Sequence, residues 1–266
     1  HKLIKYKLFI SKKRMSNPNI NKLLHKGKAL FLAYDQGLEH GPTSDFDDNN
    51  IDPLYIISIA KQGKFTGLVF QKGIAEKYQK EIKLSKIPLI IKLNGKTNIK
   101  KGEPIAKPIC TVEEAKKLNA SAIGYTVYIG SEFESEMFED FDKIQKEAHQ
   151  VGLPVILWVY PRGKAVKDDT SKEMISYAAR TGLELGADIV KIKYGGNPLN
   201  LNWAVKAAGR CKVVVAGGIK KNEAQFLKQV REIIDAGAIG LAIGRNVWQA
   251  KDPIDLTKKI KNIKRK

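Results

Sequence analysis

The sequence predicts an α/β fold, and specifically a single-domain (β/α)8 TIM barrel. Short apolar runs alternate with helical segments about eight times over roughly 240 residues, the length expected of eight such units. The runs are apolar throughout, as in a parallel sheet that is buried on both faces. None of them ends in the glycine fingerprint of dinucleotide-binding sheets, so a closed barrel is favoured over a doubly wound sheet.

The eight apolar runs are the predicted strands. Each is short and rich in β-branched residues, which favour extended backbone. The predicted strands are Ala29–Tyr34, Gly67–Phe70, Pro88–Leu93, Ala122–Val127, Pro154–Val159, Ala187–Ile192, Lys212–Ala216 and Ile239–Ile243.

Capping residues mark the predicted helices. Asp52 followed by Pro53 is typical of a helix start. Thr111 and Glu114 form a capping box, and Gly152 closes a long amphipathic segment. The predicted helices are Asp52–Gln62, Ala115–Leu118, Ser131–Val151, Thr170–Leu185, Asn222–Ala236 and Asp252–Ile263.

The net charge of +19 is concentrated at the two ends of the chain. Residues 1–28 hold nine Lys or Arg and no acids, and residues 251–266 hold seven against two acids. We therefore divide the chain into a basic N-terminal extension, residues 1–28, and a barrel, residues 29–266. Aromatic residues are sparse among these charges and no nucleic-acid-binding motif is present. Solvated ends are favoured over a nucleic-acid partner, and a polyanion-binding arm is the alternative.

Cys110 and Cys211 lie far apart and lack the spacing of metal ligands, so we expect reduced thiols in a cytoplasmic protein. No apolar run approaches the length of a membrane span, so no membrane partner is expected. The apolar run Leu8-Phe9-Ile10 is too short for the core of a signal peptide.

Lys191 and Lys193 interrupt the apolar run that begins at Ala187. Alternate residues of a strand point the same way, so both lysines are expected on one face. A buried ammonium is costly unless it is paired or loses its proton. Since a neutral lysine is a nucleophile for carbonyl carbon, the run predicts Schiff-base chemistry without choosing between the two lysines.

Catalytic residues of such barrels gather at the carboxyl ends of the strands. Asp35 follows the first strand and is interpreted as a carboxylate that orients substrate hydroxyls or stabilises an iminium. Closing the turn before Gly37 is the alternative role for Asp35. Lys92 interrupts the third strand as Lys191 does, so we expect it to face the barrel interior.

The fifth strand ends in Trp158-Val159-Tyr160-Pro161-Arg162, and alternation places Trp158 and Tyr160 on one face. Tyr160 can donate and accept a proton when a nearby cation tunes its phenol. Trp158 can form an apolar wall, and Arg162 can bind phosphate through two hydrogen bonds. An aromatic core pair beside a surface arginine is the alternative, and this run alone favours it.

Glycine turns follow both of the last two strands. Gly217 and Gly218 follow the seventh strand, and Gly244 and Arg245 follow the eighth. Backbone N–H groups at such turns can approach an anion, and barrels often bind phosphate at this position. The two turns together predict a phosphate site.

Several ordered blocks of the sequence, from about Ala29 to Gln249, match a known family. The blocks are Ala33–Pro42, Phe70–Gly73, Lys92–Thr97, Gly124–Tyr128, Trp158–Gly163, Lys191–Tyr194 and Gly244–Trp248. They resemble the archaeal-type class I fructose-1,6-bisphosphate aldolases, which belong with the DhnA-like Schiff-base barrel enzymes.

The resemblance implies a role for each candidate residue. It implies that Lys191 forms the Schiff base and that Tyr160 and Asp35 are catalytic. It further implies that Trp158 and Arg162 lie in the active site and that a substrate phosphate binds at Gly217, Gly218, Gly244 and Arg245. Two roles stay open for Lys193: it contacts a phosphate, or it is a structural charge that is paired with another residue. Burial and the charge of Lys193 are expected to lower the pKa of Lys191.

The resemblance also implies reversible cleavage of fructose 1,6-bisphosphate to dihydroxyacetone phosphate and glyceraldehyde 3-phosphate, with no metal or other cofactor. The implied partners are the small sugar phosphate and further copies of the chain, in stacked rings such as a decamer. Gln36 replaces a common His of the family, and Ala216 replaces a common Ser. These departures leave open a related Schiff-base aldolase or transaldolase-type enzyme that acts on another phosphorylated ketose. A phosphosugar isomerase is also open, although it leaves a buried Lys191 unexplained.

Overall fold

Eight parallel strands close into a barrel in the computed structural model, which describes residues 18–42 and 45–263. The described residues form ten strands in all, eight in the barrel and two outside it. They are β1 (Ala29–Ala33), β2 (Gly67–Gln71), β3 (Leu89–Lys92), β4 (Asn94–Gly95), β5 (Lys107–Pro108), β6 (Ala122–Ile129), β7 (Val155–Pro161), β8 (Ile189–Ile192), β9 (Lys212–Ala216) and β10 (Gly240–Ile243). The order of the eight strands around the barrel is β1-β10-β9-β8-β7-β6-β3-β2, while β4 and β5 form a separate antiparallel pair. The eight predicted strands are thus confirmed.

The barrel closes where β1 pairs with β10, and this closure depends on a glycine. Ala29 lies opposite Gly240 in the parallel register. Gly240 has φ +157, and a Cβ built on it would lie 1.8 Å from the carbonyl oxygen of Ala29. A side chain at position 240 would therefore push the first and last strands apart.

Helices connect the strands and cover the outside of the barrel. They are α1 (Gln36–His40), α2 (Pro53–Gln62), α3 (Lys72–Lys77), α4 (Gln79–Ser85), α5 (Val112–Lys117), α6 (Glu134–Gln150), α7 (Lys172–Glu184), α8 (Pro198–Ala207), α9 (Glu223–Asp235), α10 (Arg245–Trp248) and α11 (Pro253–Asn262). The capping box at Thr111 and the Asp52 cap are both present, as predicted. Across residues 18–42 and 45–263, every helix is too short or too polar to span a lipid bilayer.

The apolar core has two layers. One fills the barrel interior with inward side chains such as Phe31, Ile90, Ile156 and Ile189. The other packs the outer faces of the strands against the helices. A filled interior leaves room for chemistry only at the mouth, where the inward positions become polar.

The predicted basic extension is described only from residue 18, and residues 1–17 lie outside the described part of the chain. Leu23, at the end of a short 3-10 helix (Ile20–Leu23), is fully buried in the interior cluster with Ala29 and Phe31. Barrel packing therefore already includes a residue before Ala29. The domain boundary at residue 28 stays a prediction.

Candidate active site

The side chain of Lys191 lies inside the barrel, near the carboxyl end of β8. The residue is only 5% exposed. Its Nζ lies 4.9 Å from the centroid of the Trp158 ring, and the two residues are register partners on β8 and β7. The predicted burial of this lysine is confirmed, whereas its catalytic role stays a prediction.

A second lysine is buried against the same indole ring. Lys92, at the end of β3, is also 5% exposed, and its Nζ lies 5.2 Å from the centroid of the Trp158 ring. Its Nζ is 3.7 Å from Oδ2 of Asp35, which follows β1. The expectation that Lys92 faces the interior is confirmed, and Asp35 approaches Lys92 from β1, one strand removed from β3.

A glycine makes room for the Trp158 indole. A Cβ built on Gly124 would lie 2.4 Å from Cζ3 of Trp158 and 3.3 Å from Cδ of Lys92. The buried Nε1–H of Trp158 has no acceptor among the described residues. The Trp158 ring therefore lies near both lysines, and its indole N–H is unpaired among the described residues. Its role as an apolar wall toward the substrate stays a prediction.

Burial is the largest influence on the pKa of the Lys191 amine and lowers it, and the charge of Lys92 acts in the same direction. The carboxylates of Asp35 and Glu39 raise this pKa, and the net result is a fall from 10.5 to about 8. Near pH 7 about one amine in ten is then neutral, against about one in 3,000 for an ordinary lysine. The site thus supplies a nucleophilic amine at physiological pH.

Lys193 does not contribute to this effect, and the expectation that its charge would lower the pKa of Lys191 was wrong. The strand ends at Ile192, so Lys193 lies beyond it and is only partly buried. Its ammonium forms an ion pair with Asp169, before α7. The charge of Lys193 is thus paired elsewhere, and a phosphate contact stays a prediction.

Tyr160 stands at the end of β7 among charged groups. The Arg162 guanidinium lies 5.6 Å from the centroid of the Tyr160 ring and 5.3 Å from that of Tyr128. Burial, together with the negative charges of Asp35 and Glu39, holds the pKa of Tyr160 well above its usual value. Arg162 acts in the opposite direction and is outweighed. The resting side chain is therefore a neutral phenol.

Glu39 belongs to the site, although sequence reasoning gave it no role. Arg162 Nη1 donates to Glu39 Oε1 at 2.6 Å, and this ion pair lowers the pKa of Glu39 despite its burial. Glu39 follows Asp35 by four residues, one helical turn on, so the two side chains share a face. That spacing is a signal from which Glu39 could have been predicted.

Asn94, which follows β3, is a buried structural residue. Its Nδ2 donates to the carbonyl oxygens of Ala106 and Thr126, and its Oδ1 accepts from the Thr126 N–H. Asn94 thereby fixes the chain that leaves β3 to strand β6. Its side-chain hydrogen bonds are made to backbone groups and hold the rim in place.

The structure brings the two glycine turns together through Asn246. The buried Asn246 side chain donates to the carbonyl oxygens of Gly217 and Ile219 at 3.1 and 2.9 Å. Gly218 has φ +74, in the region that favours glycine. The turns after β9 and β10 therefore form one continuous surface, as the phosphate-site prediction requires.

Gly244 and Arg245 complete this surface. A Cβ at position 244 would lie 2.7 Å from the Ala33 carbonyl oxygen and 2.9 Å from Nε2 of Gln36, so only glycine fits. Arg245 Nη1 donates to Asp45 Oδ2 at 3.0 Å, and Nη2 to the Gly218 carbonyl at 3.5 Å. The arginine thus spans the turn and the segment after α1.

The model of the DeoC/LacD family of aldolases matches residues 29–250. The chain belongs to this aldolase family. This DeoC/LacD-family aldolase is 52% identical to the class 1 fructose-bisphosphate aldolase of Thermoproteus tenax over 232 residues, 86% of each chain. It is 45% identical to that of Halobacterium salinarum over 229 residues, 85% of this chain and 86% of the other. The resemblance stated from the sequence blocks is thus confirmed.

Solved structures resemble this aldolase over nearly the whole barrel. A Schiff-base-forming fructose-1,6-bisphosphate aldolase is 48% identical, with a TM-score of 0.87 over 91% of this chain and 96% of that one. An archaeal fructose-1,6-bisphosphate aldolase, with its catalytic lysine bound to the carbinolamine intermediate, is 47% identical. It gives a TM-score of 0.86 over 92% of this chain and 97% of that one. The single-domain (β/α)8 barrel predicted from the sequence is confirmed.

Proposed function

We propose that this aldolase reversibly cleaves fructose 1,6-bisphosphate to dihydroxyacetone phosphate and glyceraldehyde 3-phosphate. The observation that carries the proposal is the buried Lys191 amine at the barrel mouth, with its pKa lowered to about 8. Asp35 acts on its charge, and Tyr160 lies at the end of the adjacent strand β7. The names of the Thermoproteus and Halobacterium relatives support the same substrate.

The reaction begins when the neutral amine of Lys191 attacks the ketone carbon and forms a carbinolamine. Tyr160 rests as a phenol, so it can donate its proton to the carbinolamine hydroxyl, which leaves as water. The products of this step are an iminium on Lys191 and a phenolate on Tyr160. The iminium is the electron sink for carbon–carbon cleavage, so the step requires no metal.

The phenolate of Tyr160 then removes the proton from the hydroxyl on the departing aldehyde carbon. As that carbonyl forms, the carbon–carbon bond breaks and its electron pair gives a neutral enamine on Lys191. Tyr160 returns the proton to the enamine carbon, and water adds to the resulting iminium to release the second product. Asp35 orients the sugar hydroxyls, and the unpaired indole N–H of Trp158 is available to a substrate oxygen.

The surface formed by Gly217, Gly218, Gly244 and Arg245 is the proposed position of one substrate phosphate. Arg245 supplies the charge, and it must share its guanidinium with the phosphate or release Asp45. Arg162, after β7, is the proposed second phosphate contact, and Glu39 holds its guanidinium. Lys193 is proposed as a further contact at the rim.

Borohydride trapping tests the assignment of the nucleophile. The protein is incubated with fructose 1,6-bisphosphate and sodium borohydride, which reduces an imine to a stable amine, and the adduct is mapped by peptide mass. We expect the adduct on Lys191, its loss in Lys191→Met, and its retention in the matched control Lys193→Met. An adduct on Lys92 or Lys193 would overturn the assignment, and cleavage that EDTA abolishes would contradict a metal-free reaction.

A second candidate is an aldol transfer to another phosphorylated ketose. A relative from Methanocaldococcus jannaschii, 38% identical over 244 residues, is named as both fructose-bisphosphate aldolase and 6-deoxy-5-ketofructose 1-phosphate synthase. Lys191 would form the same iminium with either substrate. Coupled assays over a panel of sugar phosphates separate the two, because the first proposal expects fructose 1,6-bisphosphate to give the highest kcat/KM.

We further propose that the enzyme is a cytoplasmic homo-oligomer. Cys110 and Cys211 are buried free thiols, which fits a reducing compartment. Tyr177 on α7 and Leu199 and Trp203 on α8 are exposed, and subunits commonly bury apolar groups of this kind. Sedimentation equilibrium measures the assembly, and a monomer at micromolar concentration would contradict the proposal.

A further inference from the structure

Two buried lysines flank one indole ring, but they do not have equivalent partners. Burial lowers the pKa of Lys92 as well, but the Asp35 carboxylate, 3.7 Å from its Nζ, opposes that effect and favours the ammonium. The second carboxylate near the mouth, Glu39, is held by Arg162 at 2.6 Å. Within residues 18–42 and 45–263, Lys191 forms no ion pair. Three cations thus share two close carboxylates, and Lys191 is the one without a partner.

We propose that Lys92 is a positioning residue, whose ammonium is paired with Asp35 and thereby increases the neutral, nucleophilic fraction of Lys191. The proposal rests on the proposed Schiff-base function and deepens it. It assigns to Lys92 no bond to the substrate and no proton transfer. Lys92 acts only through the protonation state of the Lys191 amine.

Two physical effects of Lys92 act in the same direction on Lys191. The ammonium of Lys92 lies against the same indole ring, and a nearby positive charge disfavours a second one. The ion pair with Lys92 also offsets the Asp35 charge, which would otherwise stabilise an ammonium at position 191. Losing Lys92 would therefore favour the protonated form of Lys191 through both effects.

Each charged or titratable group near Lys191 has an identified effect, protonation state or partner. Asp35 at the start of α1 and Glu39 within it favour the ammonium, and Lys92 of β3 disfavours it. Tyr160 of β7 rests as a neutral phenol. Lys193 forms its ion pair with Asp169 outside the strand. Lys92 is thus the cation that is placed to lower the pKa of Lys191.

Trace acetylation of the intact protein with acetic anhydride measures the two amines separately, because only the neutral amine reacts. Peptide mass spectrometry gives the acetylation rate of each lysine as a function of pH. In the wild-type protein we expect Lys191 to become reactive with a midpoint near pH 8, as its lowered pKa requires, and Lys92 to become reactive at higher pH. Coincident midpoints, or a lower midpoint for Lys92, would overturn the proposal without any variant.

The variant Lys92→Met removes the charge and keeps a similar shape. The midpoint of Lys191 should rise by about one pH unit or more, so that its acetylation near pH 7 slows about tenfold. Lys92→Arg retains the charge and should restore the lower midpoint, whereas Lys193→Met should leave it unchanged. A Lys191 midpoint that stays near pH 8 in Lys92→Met would refute the proposal.

The acetylation measurement does not depend on the substrate. A shifted midpoint in a protein that fails to cleave fructose 1,6-bisphosphate would support the role of Lys92 and reject the proposed substrate. Cleavage with an unshifted midpoint would do the reverse. In an active enzyme, the acid limb of the kcat/KM profile should move with the acetylation midpoint, which a merely structural residue would not cause.

Discussion

Replacing Lys191 by methionine should abolish turnover and, at the same time, stabilise the fold. Methionine has a similar length and no charge. It therefore removes the free-energy cost of holding an amine in a buried site that disfavours its protonated form. The lowering of the Lys191 pKa from 10.5 to about 8 corresponds to about 3 kcal/mol of unfavourable free energy near pH 7. The active site would thus carry a nucleophile at the expense of stability.

The pH dependence distinguishes this effect from a simple change in packing. Between about pH 8 and about pH 10.5 the unfolded chain holds a proton on Lys191 that the folded protein has released. The unfolded state then binds more protons, so stability rises with pH through this window, and the full cost is present below it. Near pH 9.5 only about 1.4 kcal/mol of the cost remains.

Urea denaturation at equal protein concentration, near pH 7 and near pH 9.5, measures the difference. Lys191→Met should exceed wild type in free energy of unfolding by about 3 kcal/mol near pH 7 and by about 2 kcal/mol less near pH 9.5. Lys193→Met is the matched control, because a partly exposed ion pair contributes about 0–1 kcal/mol. A gain that is equal at both pH values, or a loss of stability, would refute the reasoning.

Four further predictions follow from the geometry. Tyr160→Phe should lower kcat by about 10²–10⁴ with an unchanged circular dichroism spectrum, and an unaltered kcat would reject its role as acid. Gly124→Ala should lower the free energy of unfolding by about 1–3 kcal/mol in urea, because its methyl group would displace the Trp158 ring, whereas Gly73→Ala, with nothing within 4 Å, should not destabilise the fold. Arg245→Gln should raise KM for fructose 1,6-bisphosphate about 10–100-fold in steady-state assays, with a smaller effect on kcat. In wild type, kcat/KM should climb with pH to a plateau above about 8, because only the neutral Lys191 reacts, and a flat profile would contradict this.

The fold could be predicted from sequence because its signals are local. Each barrel strand is apolar on both faces, and the helix caps specify where the connecting helices begin. Strands β6 and β7 run beyond their predicted ends because they pair with each other as far as Ile129 and Pro161, which requires knowledge of the partner. Helix α8 was not predicted, although Asn197 caps it and Pro198 opens it, the same signal as at Asp52.

The candidate site was predictable only in part. A charged residue in an apolar run is visible in sequence, so Lys191 and Lys92 could both be placed inside the barrel. The ion pairs of Arg162 with Glu39 and of Arg245 with Asp45 depend on how loops distant in sequence meet at the mouth. For that reason the sequence indicated cations suited to phosphate and gave no indication that each already has a carboxylate partner.

The choice of nucleophile is the clearest case of information that spacing does not contain. Lys191 and Lys193 are close in sequence, which made Lys193 the obvious neighbouring charge, yet Lys92, 99 positions away, is the lysine that shares the Trp158 ring. A buried ammonium is tolerated when a carboxylate lies close to it. Asp35 lies close to Lys92 and therefore favours a charge there, which is why we propose Lys191 as the neutral amine. In this proposal the nucleophile is selected by which lysine the Asp35 carboxylate pairs with, and moving that carboxylate should change which lysine is reactive.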